Sequence, residues 1–240
     1  MRHLYALYAV ITFSILFLCL FPLFILCSFL GKSGKLAIWY LLKGWGYIWL
    51  FLIGNSVQRI FIQKPQKEKN YIVIANHISY LDTAMIFRTL PFMVRPLAKK
   101  ELVKIPLFGF LYKQMAVLVD RSNDSSKSKS IHLLQRTLKH DASIFIFPEG
   151  SFNETGQPLK HFYDGAFRIA LQTKTTILPV IFPDTVHRFH YSSFWKWSPG
   201  KNRAVFLKEI PTDDYEIRDL AVLKKRVFDE MENTLVELRK

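Results

Sequence analysis

Tyr71-Ile-Val-Ile-Ala75 runs without a break into Asn76-His77-Ile-Ser-Tyr-Leu-Asp82, and an apolar-periodic stretch follows from about residue 80. Five apolar residues closed off by a polar turn read as a buried strand, of the kind a parallel sheet hides beneath its helices. Open α/β sheets gather their chemistry at such strand ends, so this stretch suggests both a fold and the place to look for a site.

The same texture continues on either side. Strands are expected near 57–63, 71–75, 92–98, 116–119, 143–147, 176–182 and 203–209. Helices are expected near 80–89, 107–114, 124–139 and 163–173. A last one near 215–238 has Leu220, Leu223, Val227, Phe228, Met231 and Leu235 on one face. Strands alternating with helices predict an α/β fold with a mostly parallel central sheet flanked by helices.

Ahead of this domain, Leu4 to Gly31 contains no charged side chain, which exceeds the roughly 20 residues needed to cross a hydrocarbon core. A cleaved signal peptide fits poorly, because the apolar run is too long and no small-x-small site follows it. Pro22 leaves two forms open, a kinked span or a re-entrant pair. From Leu36 to Gly54, Ile38, Leu41, Leu42, Trp45, Ile48, Trp49 and Leu52 recur at helical spacing around Lys43. A lysine in the middle of a spanning helix costs about 2.5–3.5 kcal/mol. This second segment is therefore expected to lie in the interface with its tryptophans at headgroup level, the alternative being a buried helix of the soluble domain. Residues 1–55 thus read as membrane-anchoring helices and 56–240 as the α/β domain.

The 33 Lys and Arg against 19 Asp and Glu give a net charge of +14, which calls for an anionic partner. Nucleic acid and anionic membrane satisfy that number equally, and the apolar block decides for membrane lipids over nucleic acid. Lys32 and Lys35, just after the first apolar run, are expected to put its C-terminal end and the α/β domain on the cytoplasmic side. Cys19 and Cys27 both lie inside the block, so they build neither a disulfide framework nor a zinc site. His187-x-x-His190 is only a pair, read as surface.

On one continuous helix, His77 and Asp82 would lie about 140° apart and could not meet. A turn between them removes that obstacle and lets the carboxylate reach the imidazole. It would then fix the tautomer of one ring nitrogen and raise the basicity of the other, leaving a base without a protein nucleophile. The same residues also form a plain capping box, Ser79-x-x-Asp82, and on their own leave both readings open. A second constellation, Phe145-Ile-Phe147-Pro148-Glu149-Gly150-Ser151, is again a strand running into a glycine turn. Such a turn presents backbone N–H groups and a carboxylate to a ligand, or is mere punctuation. Val117-Leu-Val-Asp120-Arg121 is a third strand end, with Arg121 suited to a phosphate or to an ion pair with Glu149.

Together these strand ends resemble the glycerolipid acyltransferase family, which includes the 1-acyl-glycerol-3-phosphate acyltransferases. Asn76-His77-x-x-x-x-Asp82 is similar to the family's first block, which implies that His77 is the general base and Asp82 orients it. Arg95 to Leu102, with Lys99, and Ile105 to Gly109 resemble the approach to the second block, which ends here in Val119-Asp120-Arg121 and implies that Arg121 contacts the acceptor's phosphate. Phe147-Pro148-Glu149-Gly150-Ser151 looks like the third block, and Ile177-Leu-Pro179-Val180 like the fourth, which helps shape the substrate pocket. Asn76, Lys99, Arg121, Glu149, Gly150, Ser151 and Pro179 are therefore expected to bind substrate, beside catalytic His77 and Asp82.

The family's third block usually continues Glu-Gly-Thr-Arg, whereas this chain has Phe152 in place of the arginine. Where Lys-Lys-Gly is common it has Tyr163-Asp164-Gly165. These departures leave a lyso-aminolipid open as the acceptor beside 1-acyl-glycerol-3-phosphate. The resemblance implies acyl-CoA or acyl-carrier protein as donor substrate and no cofactor, and no metal is expected because no ligand set has suitable spacing. No G-x-S-x-G elbow occurs, so no acyl-enzyme is expected. Two other classes stay in view: a membrane-bound hydrolase of thioesters or lipids using His77 on water, and a non-enzymatic binder of anionic membrane or nucleic acid.

Overall fold

All seven expected strands form. The computed structural model describes residues 2–119, 132–139 and 142–239. Its strands are β1 (Asn55–Phe61), β2 (Ile72–Ala75), β3 (Val94–Lys99), β4 (Val117–Val119), β5 (Ser143–Ile146), β6 (Ile177–Ile181) and β7 (Gly200–Phe206). They make a single sheet in the order β1-β7-β6-β2-β5-β3-β4, parallel at every pairing except β6 with β7. Every residue of β2, β5 and β6 is buried, which is why these strands read as unbroken apolar runs.

The helices are α1 (Arg2–Ser28), α2 (Gly31–Leu52), α3 (Asp82–Thr89), α4 (Phe108–Met115), α6 (Gly165–Thr173), α7 (Thr185–Arg188) and α8 (Leu220–Arg239), with α5 at 132–139. The first half of the helix expected at 124–139 lies outside the described residues. α7, a single turn, was not anticipated.

Successive side chains of a strand point to opposite faces, and β2 shows the consequence. Ile72 and Ile74 join one apolar cluster with Phe167 and Ala170 of α6 and Leu223, Val227, Met231 and Leu235 of α8. Tyr71, Val73 and Ala75 join the other, with Phe17 and Phe24 of α1, Ile38 and Trp39 of α2, and Met85 and Ile86 of α3. Each fully buried aliphatic side chain of α8 contributes about 1.5–3 kcal/mol, so that helix is held by its stripe.

α1 and α2 form an antiparallel hairpin. α1 stays helical through Pro22, and the chain turns only at Phe29 and Leu30. At the far end the Tyr5 hydroxyl donates to the Ile53 carbonyl, Tyr8 Oη to the Leu52 carbonyl at 3.0 Å, and Trp49 Nε1 to the Ala9 carbonyl at 3.0 Å. Near the turn, a Cβ on Gly34 would fall 1.8 Å from the Cys27 carbonyl oxygen, so glycine is what lets the two helices close.

The expectation for the second segment needs correction. Trp45 and Trp49 are only 6% and 4% exposed. They pack on Ala6 and Ala9 of α1 and on Leu81, Ala84 and Trp197 of the α/β domain, so they face protein and not lipid. Burying these large rings against protein removes more apolar area than an interfacial position would. The outward face of α2 instead shows Tyr40, Tyr47, Ile48 and Phe51. Lys43 is accommodated because its Nζ donates to the Leu90 carbonyl, 2.9 Å away at the end of α3, where a cation also complements the helix dipole.

Candidate active site

Where β2 ends, the chain is clamped from three sides. Asn76 is fully buried; its Nδ2 donates to the Phe182 carbonyl at 3.0 Å and its Oδ1 accepts from the Phe182 N–H at 2.8 Å. Both halves of the amide are thus spent joining the ends of β2 and β6, and Asn76 does not face a ligand as the sequence reading expected. The N–H of His77 donates to Glu149 Oε1 at 2.8 Å, and its carbonyl accepts from the Asn153 N–H at 2.8 Å. The other Glu149 oxygen accepts from the Lys160 N–H at 3.1 Å. Glu149 is fully buried, so it too acts as a clamp, tying the Pro-Glu-Gly loop to the histidine's own peptide.

The turn from Asn76 to Leu81 brings His77 back to the first residue of α3. Asp82 Oδ2 accepts from His77 Nδ1 at 2.9 Å, from the Ile78 N–H at 2.8 Å and from the Ser79 N–H at 2.9 Å. Asp82 Oδ1 accepts from the Thr185 hydroxyl at 2.6 Å. Only half of the capping-box reading is met: Asp82 takes the Ser79 N–H, whereas the Ser79 hydroxyl accepts from the Leu81 N–H at 3.1 Å and donates to the Phe189 carbonyl at 2.6 Å, and α3 has Leu81 as N-cap with no side-chain cap bond. With the Ile78 and Ser79 N–H groups and the Thr185 hydroxyl already directed at it, the carboxylate meets the ring as an acceptor, which assigns the proton to Nδ1 and leaves the lone pair on Nε2. Thr185, 103 residues from Asp82, is a site residue that no sequence signal pointed to.

The imidazole is held between aromatic rings. Phe147 stacks on it at 3.9 Å between centroids, Phe152 lies at 4.3 Å, and Tyr80 meets Phe152 edge-on at 4.6 Å. Asp82 is fully buried, while the His77 side chain keeps 17% exposure. The imidazole is accessible and its carboxylate partner is not. His77, Tyr80 and Gly150 line a cavity of about 790 Å³ whose other walls are mostly apolar, including Phe13 and Phe17 of α1, Trp45 of α2, Ile86 of α3 and Phe108 of α4. Gly150 sits at φ +70°, and a Cβ there would come 3.0 Å from the Tyr163 ring.

Burial pushes the Glu149 carboxyl up to about 7 from 4.5, against the pull of the His77 and Lys160 N–H groups. A carboxyl raised on folding favours the folded state below its unfolded value and loses that contribution as pH rises through the folded one. The difference in unfolding free energy, wild type minus Glu149→Gln, should therefore shrink by about 3 kcal/mol between about pH 4 and about pH 8. Chemical denaturation across that range measures it, and a pH-independent difference would show that the carboxyl stays charged throughout.

The remaining expected residues fall in different places. Ser151 is exposed, and its hydroxyl accepts from Lys160 Nζ at 2.7 Å. Pro179 is buried in β6, paired with Ile74, and is not among the cavity walls. Lys99 ends β3, and nothing is described of its side chain. Arg121 and Asp120 lie outside the described residues. Among the described residues no three His, Cys, Asp or Glu side chains gather as a metal site.

Residues 56–183, which contain His77, Asp82, Glu149 and Pro179, match the family model described as Acyltransferase. The chain belongs to this acyltransferase family. The acyltransferase is 29% identical over 217 residues to the 1-acyl-sn-glycerol-3-phosphate acyltransferase of Saccharomyces cerevisiae, covering 89% of this chain and 71% of that one. It is 31% identical over 196 residues to the protein of the same name from Haemophilus influenzae, covering 78% and 77%. Its fold is that of the 1-acyl-sn-glycerophosphate (LPA) acyltransferase PlsC from Thermotoga maritima. The TM-score is 0.81 at 21% identity, over 100% of this chain and 98% of that crystal structure. The likeness therefore extends through the N-terminal hairpin as well as the sheet.

Proposed function

We propose that this acyltransferase moves a fatty acyl group from acyl-CoA or acyl-carrier protein to the free hydroxyl of 1-acyl-glycerol-3-phosphate, giving phosphatidic acid, with His77 as general base. The observation that carries the reading is the His77 Nδ1 to Asp82 Oδ2 contact of 2.9 Å beside an apolar cavity with room for an acyl chain. The acceptor's hydroxyl, hydrogen-bonded to Nε2, attacks the thioester carbonyl as its proton passes to the imidazole. The new C–O bond forms, the C–S bond breaks, and the proton leaves with the departing thiol. Asp82 steadies the transient imidazolium. Proton transfer of this kind contributes about 10²–10⁴-fold, with positioning adding more.

Lys160 is the one basic residue between Phe147 and Lys160, and its ammonium rests on Ser151 next to Phe152. It is the candidate to take the acceptor's phosphate in the role the missing arginine leaves open, a role the family resemblance also gives to Arg121. Hydrogen bonds between charged groups contribute about 1.5–3 kcal/mol. Lys160→Ala should therefore raise the acceptor KM about tenfold or more, with the donor KM unchanged and Lys160→Arg restoring most of the loss. An unchanged acceptor KM would remove Lys160 from the site.

Phe152 against the base favours a second reading, acylation of a lyso-lipid whose headgroup is not a phosphomonoester, such as a lyso-aminolipid. The deciding experiment offers the purified enzyme labelled acyl-CoA and a panel of lyso-lipids. Phosphatidic acid as the main product supports the first reading. Preferential acylation of an aminolipid supports the second, and free fatty acid released without any acceptor points to a hydrolase.

For location, α1 is long and apolar enough to cross a membrane, yet it returns as a hairpin whose outward faces are apolar. We place the enzyme on the cytoplasmic leaflet, whose anionic lipids suit a net charge of +14.

A further inference from the structure

Between α7 and β7 the chain builds a small hairpin that the reaction does not explain. Phe189 and Trp197 pair across its base in an antiparallel bridge, with rings stacked at 3.7 Å, and Trp197 meets Trp49 edge-on at 6.1 Å. The His190 N–H donates to the Lys196 carbonyl at 3.0 Å, the Lys196 N–H to the Ser193 carbonyl at 3.0 Å, and the Ser193 N–H to the His190 carbonyl at 3.3 Å. These bonds hold the turn in shape, while the tip turns Phe194 (50% exposed) and Trp195 (45% exposed) outward. Two adjacent large aromatics held into solvent by a well-bonded turn mark an interaction surface.

Three observations identify what it meets. The Trp195 ring lies 5.1 Å from that of His3 in the first turn of α1. From there the outward face of α1 continues the patch through Leu4, Tyr8, Ile11, Ile15 and Leu18, all at least 43% exposed. The patch at the tip is therefore continuous with the apolar hairpin. The stretch 185–208 carries Arg188, Lys196, Lys201, Arg203 and Lys208 and no Asp or Glu; Asp184 just before it pairs with Arg203 at 2.7 Å, and the other four cations leave the stretch net positive. Phe194 also lines the cavity that His77 opens into, which puts the tip at the cavity's mouth. Tryptophan beside lysine is the composition that settles at the headgroup level of a bilayer.

We propose that the 189–197 hairpin is a second membrane-contacting element, whose tip enters the headgroup layer of an anionic bilayer and holds the cavity mouth against it. Lipid then passes between bilayer and cavity alongside Phe194 without crossing water.

The test uses the full chain with Cys19→Ser and Cys27→Ser, carrying one environment-sensitive fluorophore at Trp195→Cys or, on the opposite face of the sheet, at Asn233→Cys. Vesicles of phosphatidylglycerol and phosphatidylcholine carry a quencher near the top of their acyl chains. The probe at 195 should shift to the blue and be quenched by the vesicles, and the probe at 233 should do neither. A 195 probe that stays as accessible to aqueous iodide with vesicles bound as without them would overturn the proposal. In parallel, Trp195→Ser with Lys196→Ser should raise the apparent KM for vesicle-borne acceptor at least threefold. It should leave the rate with a monodisperse short-chain acceptor unchanged; an equal loss with both would sink the role at the mouth. If the wild type fails to acylate 1-acyl-glycerol-3-phosphate while the 195 probe still enters the bilayer, the acceptor assignment falls and this inference stands.

Discussion

His77→Ala should lower kcat/KM for acyl transfer by about 10³-fold or more, with folding and membrane binding preserved. The expectation follows from what the imidazole touches. Its Nδ1 is spent on Asp82, so Nε2 is the one basic atom the ring offers to the cavity, and no serine elbow supplies another route. The structural loss is small, because Asp82 keeps its bonds from Ile78, Ser79 and Thr185. Giving up the Phe147 stack costs about 0.5–1.5 kcal/mol. The measurement is steady-state transfer by purified protein together with thermal unfolding. A variant that folds and keeps a tenth of wild-type activity would refute the assignment of the base.

Asp82 separates charge from shape. Asp82→Ala should destabilise the fold by at least about 3 kcal/mol, because it leaves the Ile78 and Ser79 N–H groups and the Thr185 hydroxyl buried without an acceptor, at about 1–3 kcal/mol each. Asp82→Asn should be far milder in stability. Its carbonyl can take the two N–H groups and the imidazole, and its NH₂ can donate to the Thr185 oxygen. The negative charge that steadies an imidazolium is gone, however, so kcat should fall about 10²-fold or more while the unfolding midpoint moves little. Full activity in Asp82→Asn would make the aspartate a structural clamp and nothing else.

The strands that read most clearly from the sequence are those buried on both faces. Ile72 to Ala75, Ser143 to Ile146 and Ile177 to Ile181 have no solvent side to accept a polar residue, so their apolar runs are unbroken. α8 was legible for the opposite reason: Leu223, Val227, Met231 and Leu235 repeat every fourth residue on an otherwise charged helix. α2 was half legible. Its apolar spacing gave the helix, but an apolar stripe looks the same whether it meets lipid or protein, and only the contacts of Trp45 and Trp49 with α1 and α3 tell them apart.

The motif residues divide along a similar line. Sequence alone placed His77, Asp82 and Glu149 at strand ends of one α/β sheet, because hydrophobic period and turn chemistry are local properties of the chain. Only the tertiary structure turned Asn76 and Glu149 inward as clamps, brought Thr185 across 103 residues to the second oxygen of Asp82, and set Phe152 against the imidazole. Those outcomes depend on which backbone N–H groups and rings meet after the sheet has closed. Long-range hydrogen bonds of that kind leave no periodic trace in the order of the residues.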